Sequence, residues 1–209
     1  MKFLQQIRSW WAQRRANIGS QWAETYLRRG EYMKVIRACD RALRHNPDLI
    51  DAYLTRGSAH YRLGDHAGAL ADFDAVVRLD PKSADGYLNR GVVLYTQRDL
   101  DGAMADFNMA IYLSPRKAVG YHYRGIIDEA MGNLTGAIAD YTQAIRLDPE
   151  IDIAYNKRGG ARADRGDLRG AIADYQSYLA LGGGERRGDQ QRVEATIATL
   201  RTQLEGQGR

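Results

Sequence analysis

A single cysteine, four prolines and three phenylalanines occur in the 209 residues, and each scarcity removes a class of protein. Cys39 alone excludes an intramolecular disulfide; with no partnered histidine in its pattern it reads as a small buried hydrophobe, not a nucleophile. No apolar run approaches the roughly 20 residues needed to cross a bilayer, and no signal-peptide core with a small-residue cleavage site is present, so a soluble cytoplasmic protein is expected. The four histidines, His45, His60, His66 and His122, are scattered singly. HExxH, CxxC, a glycine-rich phosphate loop and a nucleophile elbow are all missing, so no catalytic residues, no metal site and no cofactor are expected. Asp128-Glu129 near His122 is the nearest approach to a cluster of titratable groups, and solvated charge is its plainer reading. Positive charge is also scarce where nucleic acid would want it. Of the net +4, the first 30 residues hold six basic side chains against Glu24 alone, while the middle of the chain is close to neutral. A nucleic-acid partner is therefore not expected.

The prolines are informative through their spacing. Pro47, Pro81, Pro115 and Pro149 stand 34 residues apart, and other residue types recur in the same register. Tyr53, Tyr87 and Tyr121 are followed by Gly57, Gly91 and Gly125. Then come Ala69, Ala103 and Ala137, and four residues later Phe73, Phe107 and Tyr141. A fourth block keeps the phase with Tyr155, Gly159, Ala171 and Tyr175 but reaches Gly183 where proline is due, which ends the array. Apolar residues in each block fall at helical spacing in two stretches, predicting two antiparallel helices per block. Gly64-Asp65, Arg98-Asp99, Gly132-Asn133 and Gly166-Asp167 lie between them, where glycine leaves the first helix and Asp or Asn caps the second. The small residues let two backbones approach while the rings fill the space beside them. Proline closes the second helix.

This pattern resembles the tetratricopeptide repeat family, whose aromatic-x2-Leu-Gly, Ala-x3-Phe, Pro unit is matched by Tyr53-x2-Arg56-Gly57, Ala69-x3-Phe73 and Pro81 and by the next two blocks. The resemblance implies an all-α fold: an α-solenoid, a right-handed superhelix of antiparallel helix pairs, with terminal capping helices. The organisation expected is an amphipathic capping or anchor helix over 1–15, five repeats over 16–185 (16–49 degenerate, then 50–83, 84–117, 118–151 and 152–185), and a capping helix and tail over 186–209. In the degenerate first repeat Ala23, Val35 and Cys39 replace the glycine, the alanine and the ring, as terminal repeats allow. Arg56, Arg90, Arg124 and Arg158 stand where the family has leucine. His60, Leu94, Asp128 and Arg162 stand where it has an aromatic, which removes a core ring from each repeat.

Asp72, Asp106, Asp140 and Asp174 recur in the same register as those arginines. A half-buried guanidinium needs a carboxylate, so each arginine is expected to pair with an aspartate of its own or the neighbouring repeat. Gly68, Gly102, Gly136 and Gly170 recur where the family often has glutamate, and the sequence offers no physical account of them. Gly182-Gly183-Gly184 reads as a flexible break before a last helix from about Asp189 to Leu204, followed by a disordered tail from Gly206.

In the family the first helix of each repeat lines the concave face. The resemblance therefore places a partner-binding groove on Leu54, Ser58, Tyr61, Arg62, Leu88, Asn89, Val92, Tyr95, His122, Tyr123, Ile126, Glu129, Asn156 and Lys157. Leu54, Tyr61, Leu88, Tyr95, Tyr123 and Ile126 are expected to be exposed as an apolar and aromatic track for a protein or peptide. The alternative is a groove filled by the protein's own terminal helix or a second copy, that is, self-association. The family's peptide-carboxylate grip does not carry over: Asn89 matches one of its places, whereas Leu54, Ser58, Val119 and Tyr123 depart from it. Phe3, Leu4, Ile7, Trp10 and Trp11 alternate with basic residues. They read as a cap on the first repeat or, alternatively, as an anchor to a membrane surface through residues 3–15. The function expected is a non-catalytic protein-binding scaffold, with a peripheral-membrane adaptor or assembly factor as the alternative.

Overall fold

A computed structural model describes residues 31–207 of the chain, so the expectations for residues 1–30 and the final two residues lie outside it. The described residues form helices joined by turns and fall into two compact units, divided after Leu113. The first holds α1 (Tyr32–His45), α2 (Ile50–Arg62), α3 (His66–Leu79), α4 (Ala84–Thr96) and α5 (Leu100–Leu113). The second holds α6 (Ala118–Ala130), α7 (Leu134–Leu147), α8 (Asp152–Asp164), α9 (Leu168–Ala180), α10 (Gly183–Arg187) and α11 (Gln190–Gln207). From residue 50 to 185 each 34-residue block supplies one pair of helices, first and second, as its periodicity predicts.

The recurring residues meet where their sizes require. A methyl group added at Gly57, Gly91 or Gly125 would come within 2.8 Å of the ring of Phe73, Phe107 or Tyr141, so only glycine admits the aromatic at this crossing. Proline acts one residue early: Asn46, Asp80 and Asp148, each preceding a proline, are extended and end α1, α3 and α7. Cys39 lies in the core formed by Val35, Ala38, Ala42, Ala52 and Ala59; burial pushes its thiol up to about 12, which leaves it an unreactive hydrophobe.

The second-helix glycines have a structural reason. Asp65, Asp99, Asn133 and Asp167 accept the backbone N–H of Gly68, Gly102, Gly136 and Gly170 at 2.9, 3.0, 3.1 and 2.9 Å. A side chain on those glycines would stand only 2.2–2.5 Å from the capping group, so the tight cap and the bare Cα go together. Three of the four turns also place glycine at φ near +80°, at Gly64, Gly132 and Gly166; the equivalent residue in the second full block is Arg98, at φ +67°. A left-handed residue with a side chain costs about 1–2 kcal/mol. Arg98→Gly is therefore expected to stabilise the protein by about 1 kcal/mol, read as a rise of a few degrees in the melting temperature, and an unchanged or lower melting temperature would refute it.

Two expectations for the carboxy-terminal end are corrected. The triple glycine is not a flexible break: Gly182 (φ +73°) turns the chain into α10, and Gly188 (φ +69°) turns it out. Gly183 and Gly184 are buried against Tyr178 and Leu179, so glycine serves here as a tight packing surface. Gly206 is not in a disordered tail, because α11 continues through Gln207. Val193, Ile197 and Leu200 of α11 close the core of Leu168, Ala171, Tyr175 and Tyr178, while most of its remaining residues are exposed.

Candidate interaction surface

The arginine and aspartate ladders pair within each repeat. Arg90 donates through Nε and Nη2 to the two oxygens of Asp106, each at 2.8 Å, and the same two-pronged geometry joins Arg124 to Asp140 and Arg158 to Asp174. Arg56 binds Asp72 likewise. The four aspartates are 3–6 % exposed, so each depends on its arginine. Two contacts escaped the sequence reading. Tyr53, Tyr87, Tyr121 and Tyr155, three residues before each arginine, lie 5.6–5.7 Å from its guanidinium carbon as a π face. The arginine also reaches back to the preceding second helix, Arg56 to Asp40 and Arg90 to Asp74, with Thr142 serving Arg158. Each such arginine thereby ties two repeats. The signal was available as a fixed spacing of 16 residues on either side of the arginine.

In three of the four blocks the lost aromatic ring is replaced by polar contacts to the next helix cap, Leu94 being the exception. His60 Nδ1 is 2.7 Å from Asp65, and Asn133 donates to Asp128 at 2.9 Å. Arg162 contacts Asp167 at 3.6 Å and donates to Asp174 at 2.8 Å. Asp128, Glu129 and His122 consequently do not converge: Asp128 serves the cap, while Glu129 accepts from Tyr141 Oη at 2.7 Å and from Lys157 Nζ at 3.2 Å. Among the described residues no three His, Cys, Asp or Glu side chains gather as a metal site would need, and no helix is long and apolar enough to cross a membrane.

The residues expected on the binding face are distributed as follows. In the first unit Leu54 and Tyr61 are half-buried against Ala69, Phe73 and Val93. Ser58 donates to the Leu54 carbonyl and Asn89 to the Asp85 carbonyl, each at 2.8 Å; Val92 and Tyr95 are half-buried and Arg62 is exposed. In the second unit Tyr123, Ile126, Glu129, Asn156 and Lys157 are half-buried. Leu88 departs from the expectation of an exposed track, because it is buried, and His122, expected on the same face, is buried as well. They occupy the same register position in α4 and α6, and within the units α2 touches α4 and α6 touches α8. A separate open hollow of about 380 Å3 lies beside Glu31, Tyr32, Met33, Lys34, Arg37 and Leu63.

His122 sits edge-on to Tyr123 and tilted against Tyr141, with ring centroids 5.4 and 5.9 Å away, and its buried Nδ1 has no hydrogen-bond partner. Burial first, then the charges of Lys157 and Arg187, holds its pKa down to about 4. The unfolded chain takes up this proton near pH 6.5, and the folded one does so only near pH 4. Stability contributed by neutral His122 is therefore complete above pH 6.5 and lost as pH falls toward 4, by about 3 kcal/mol. Denaturant titrations between pH 7 and 4 are expected to show a drop that His122→Gln lacks; parallel curves for the two proteins would refute it.

The sequence pattern of the tetratricopeptide repeat family matches residues 21–84, 54–118 and 124–186. No curated protein sequence matches the chain. Among solved structures, pilF of Pseudomonas aeruginosa is similar at 18 % identity and a TM-score of 0.78, over 93 % of this chain and 92 % of its own. MamA from Desulfovibrio magneticus RS-1 (residues 41 to the end) is similar at 22 % identity and a TM-score of 0.70, over 81 % of this chain and 96 % of its own. The first tetratricopeptide domain of Spaghetti (RPAP3), bound to the HSP90 peptide SRMEEVD, is similar at 22 % identity and a TM-score of 0.56, over 57 % of this chain and 95 % of its own.

Proposed function

Because the chain belongs to the tetratricopeptide repeat family, we propose that it is a non-catalytic cytoplasmic scaffold that binds a protein or peptide partner along the first helices of its repeats. The observation that carries this reading is the state of Tyr61, Tyr95, Tyr123 and Ile126. All four remain half-buried while the rings and alanines on the other side of the same repeats are fully enclosed. Aromatic side chains left partly open beside Asn89, Glu129 and Lys157 give anchors for affinity and polar groups for selection. That a similar fold holds a peptide supports the ligand class and says nothing of its sequence.

The test is affinity capture from native lysate by the wild-type protein and by the Tyr95→Ala and Tyr123→Ala variants. Prey retained by the wild type and lost with either variant is expected, and prey indifferent to both would overturn the assignment of this face. A second role, contact of residues 3–15 with a membrane surface, is supported by the alternation of Phe3, Trp10 and Trp11 with basic residues. It requires flotation with anionic vesicles that disappears when the chain starts at Ala16.

A further inference from the structure

The four prolines stand in four equivalent turns, and one turn differs in the residue before the ring. Asn46-Pro47, Asp80-Pro81 and Asp148-Pro149 have an Asp or Asn acceptor where Ser114-Pro115 has a hydroxyl. Asn46, Asp80 and Asp148 accept the backbone N–H two residues on, from Asp48, Lys82 and Glu150, at 3.2, 3.0 and 3.1 Å. Serine makes the counterpart of this bond only weakly. The backbone is nevertheless alike in all four: the carbonyls of Asn46, Asp80, Ser114 and Asp148 accept the N–H three residues on at 3.4, 3.0, 3.1 and 3.3 Å. Ser114 therefore occupies a turn whose other copies use a longer side-chain acceptor.

Charge sets this turn apart as well. The other three each carry an acidic side chain, Asp48, Asp80, or Asp148 with Glu150, whereas Ser114-Pro115 is followed by Arg116 and Lys117. Pro115, Arg116 and Lys117 are exposed and Ser114 is half-buried. Lys117 is also the cap residue of α6 and has no acceptor to offer the first N–H groups of that helix. An anion on Ser114 would meet two basic side chains, the N–H of Arg116 and the positive end of a helix. The turn is tied to α6 by its side chains. Tyr121 Oη donates to the Pro115 carbonyl at 3.2 Å, and the Tyr121 ring is the π face of Arg124, which holds Asp140. Stiffening the turn thus steadies the helix that carries Tyr123 and Ile126.

We propose that Ser114 is a phosphorylation site, and that its phosphate takes the place held by the Asp and Asn side chains in the other turns. The phosphoryl donor is a nucleoside triphosphate. Ser114 Oγ attacks the γ-phosphorus, the bond from that phosphorus to the β–γ bridging oxygen breaks, the nucleoside diphosphate leaves, and the hydroxyl proton passes to the base of the transferring kinase. A phosphate oxygen lies one bond farther from Cβ than a carboxylate oxygen, and rotation about the intervening single bonds lets it fold back onto the Arg116 N–H. Its charge of about −1.5 to −2 at pH 7 matches the two basic side chains. The kinase class that fits is a proline-directed serine kinase, because Pro115 follows at once and a basic side chain stands three residues on. No other proline in the chain follows Ser or Thr, so the site is single. The proposal is independent of what the binding face holds.

The experiment treats the folded full-length protein with a purified proline-directed serine kinase and MgATP, with S114A as the control. Peptide mass spectrometry is expected to place one phosphate on Ser114, and S114A is expected to take up none at that turn. Hydrogen exchange then reads the cap. The Arg116 amide is expected to exchange about tenfold more slowly in the phosphorylated protein than in the unmodified one, each corrected by a matching peptide of residues 112–119, and the melting temperature to rise by a few degrees. S114D, which restores the residue type of Asp80 and Asp148, is expected to give part of both effects without a kinase, and R116Q to reduce the gain in melting temperature. Phosphate absent from Ser114, or placed there only after the chain is unfolded by heat, would overturn the proposal. An unchanged Arg116 exchange rate after phosphorylation, or a lower melting temperature for S114D, would overturn it equally.

Discussion

Replacing Asp106 by alanine is expected to cost about 3 kcal/mol, a drop of roughly ten degrees in melting temperature. Asp106 is 4 % exposed and receives two hydrogen bonds of 2.8 Å from Arg90. Arg90 is itself only 25 % exposed, so without Asp106 its guanidinium keeps the solvated Asp74 on one side and Tyr87 as a π face but loses its buried counter-ion. The penalty is mainly an uncompensated buried charge, and a matched apolar pair should recover much of it. Arg90→Leu/Asp106→Leu is therefore expected to lie closer to the wild type than Asp106→Ala does. Asp74→Ala, which removes a carboxylate that is 61 % exposed, is expected to change stability by less than about 1 kcal/mol. Thermal melts of the four proteins decide the matter: if Asp106→Ala and Asp74→Ala shift equally, the buried member of the ladder has no special role.

Tyr141→Ala is expected to destabilise the second unit by about 4 kcal/mol, while Tyr141→Phe costs about 1 kcal/mol. The ring is fully enclosed, lies over Gly125 and supports His122; its hydroxyl donates to Glu129 at 2.7 Å. Removing the ring opens a cavity that Gly125, having no side chain, cannot fill. Removing only the hydroxyl unpairs one oxygen of a half-buried carboxylate that still has Lys157. Denaturant unfolding of the two variants separates these contributions, and equal losses would mean that the hydrogen bond, and not the packed ring, is what Tyr141 provides.

The paired helices, their turns and the Gly–aromatic crossings were legible in the residues because each is a local requirement repeated at 34-residue spacing. A position that must be small beside one that must be large repeats as a visible pair, as Gly91 and Phe107 do. The arginine–aspartate pairing was legible for the same reason, since two opposite charges recurred in one register on faces that pack. The second carboxylates, Asp40 and Asp74, were not recognised because that ladder changes identity to Thr142 and loses its sign as a pattern. Among the residues expected on the binding face, Tyr61 and Tyr95 are half-buried, whereas Leu88 and His122 are buried. Helical phase gives the side of a helix and leaves open how closely the next helix approaches it.

The sequence by itself determined the repeat, its helix pairs, the need for glycine opposite each ring and the need for a carboxylate opposite each arginine, because these follow from sterics and charge within a few turns of chain. Only the tertiary structure decided that Gly182-Gly183-Gly184 folds into a locked turn and that Arg186 and Arg187 share the buried Asp152. Glycine is compatible with both a mobile linker and the closest packing in a protein. The choice between them lies with Tyr178 and Leu179, whose positions against that turn arise only when the second unit is assembled.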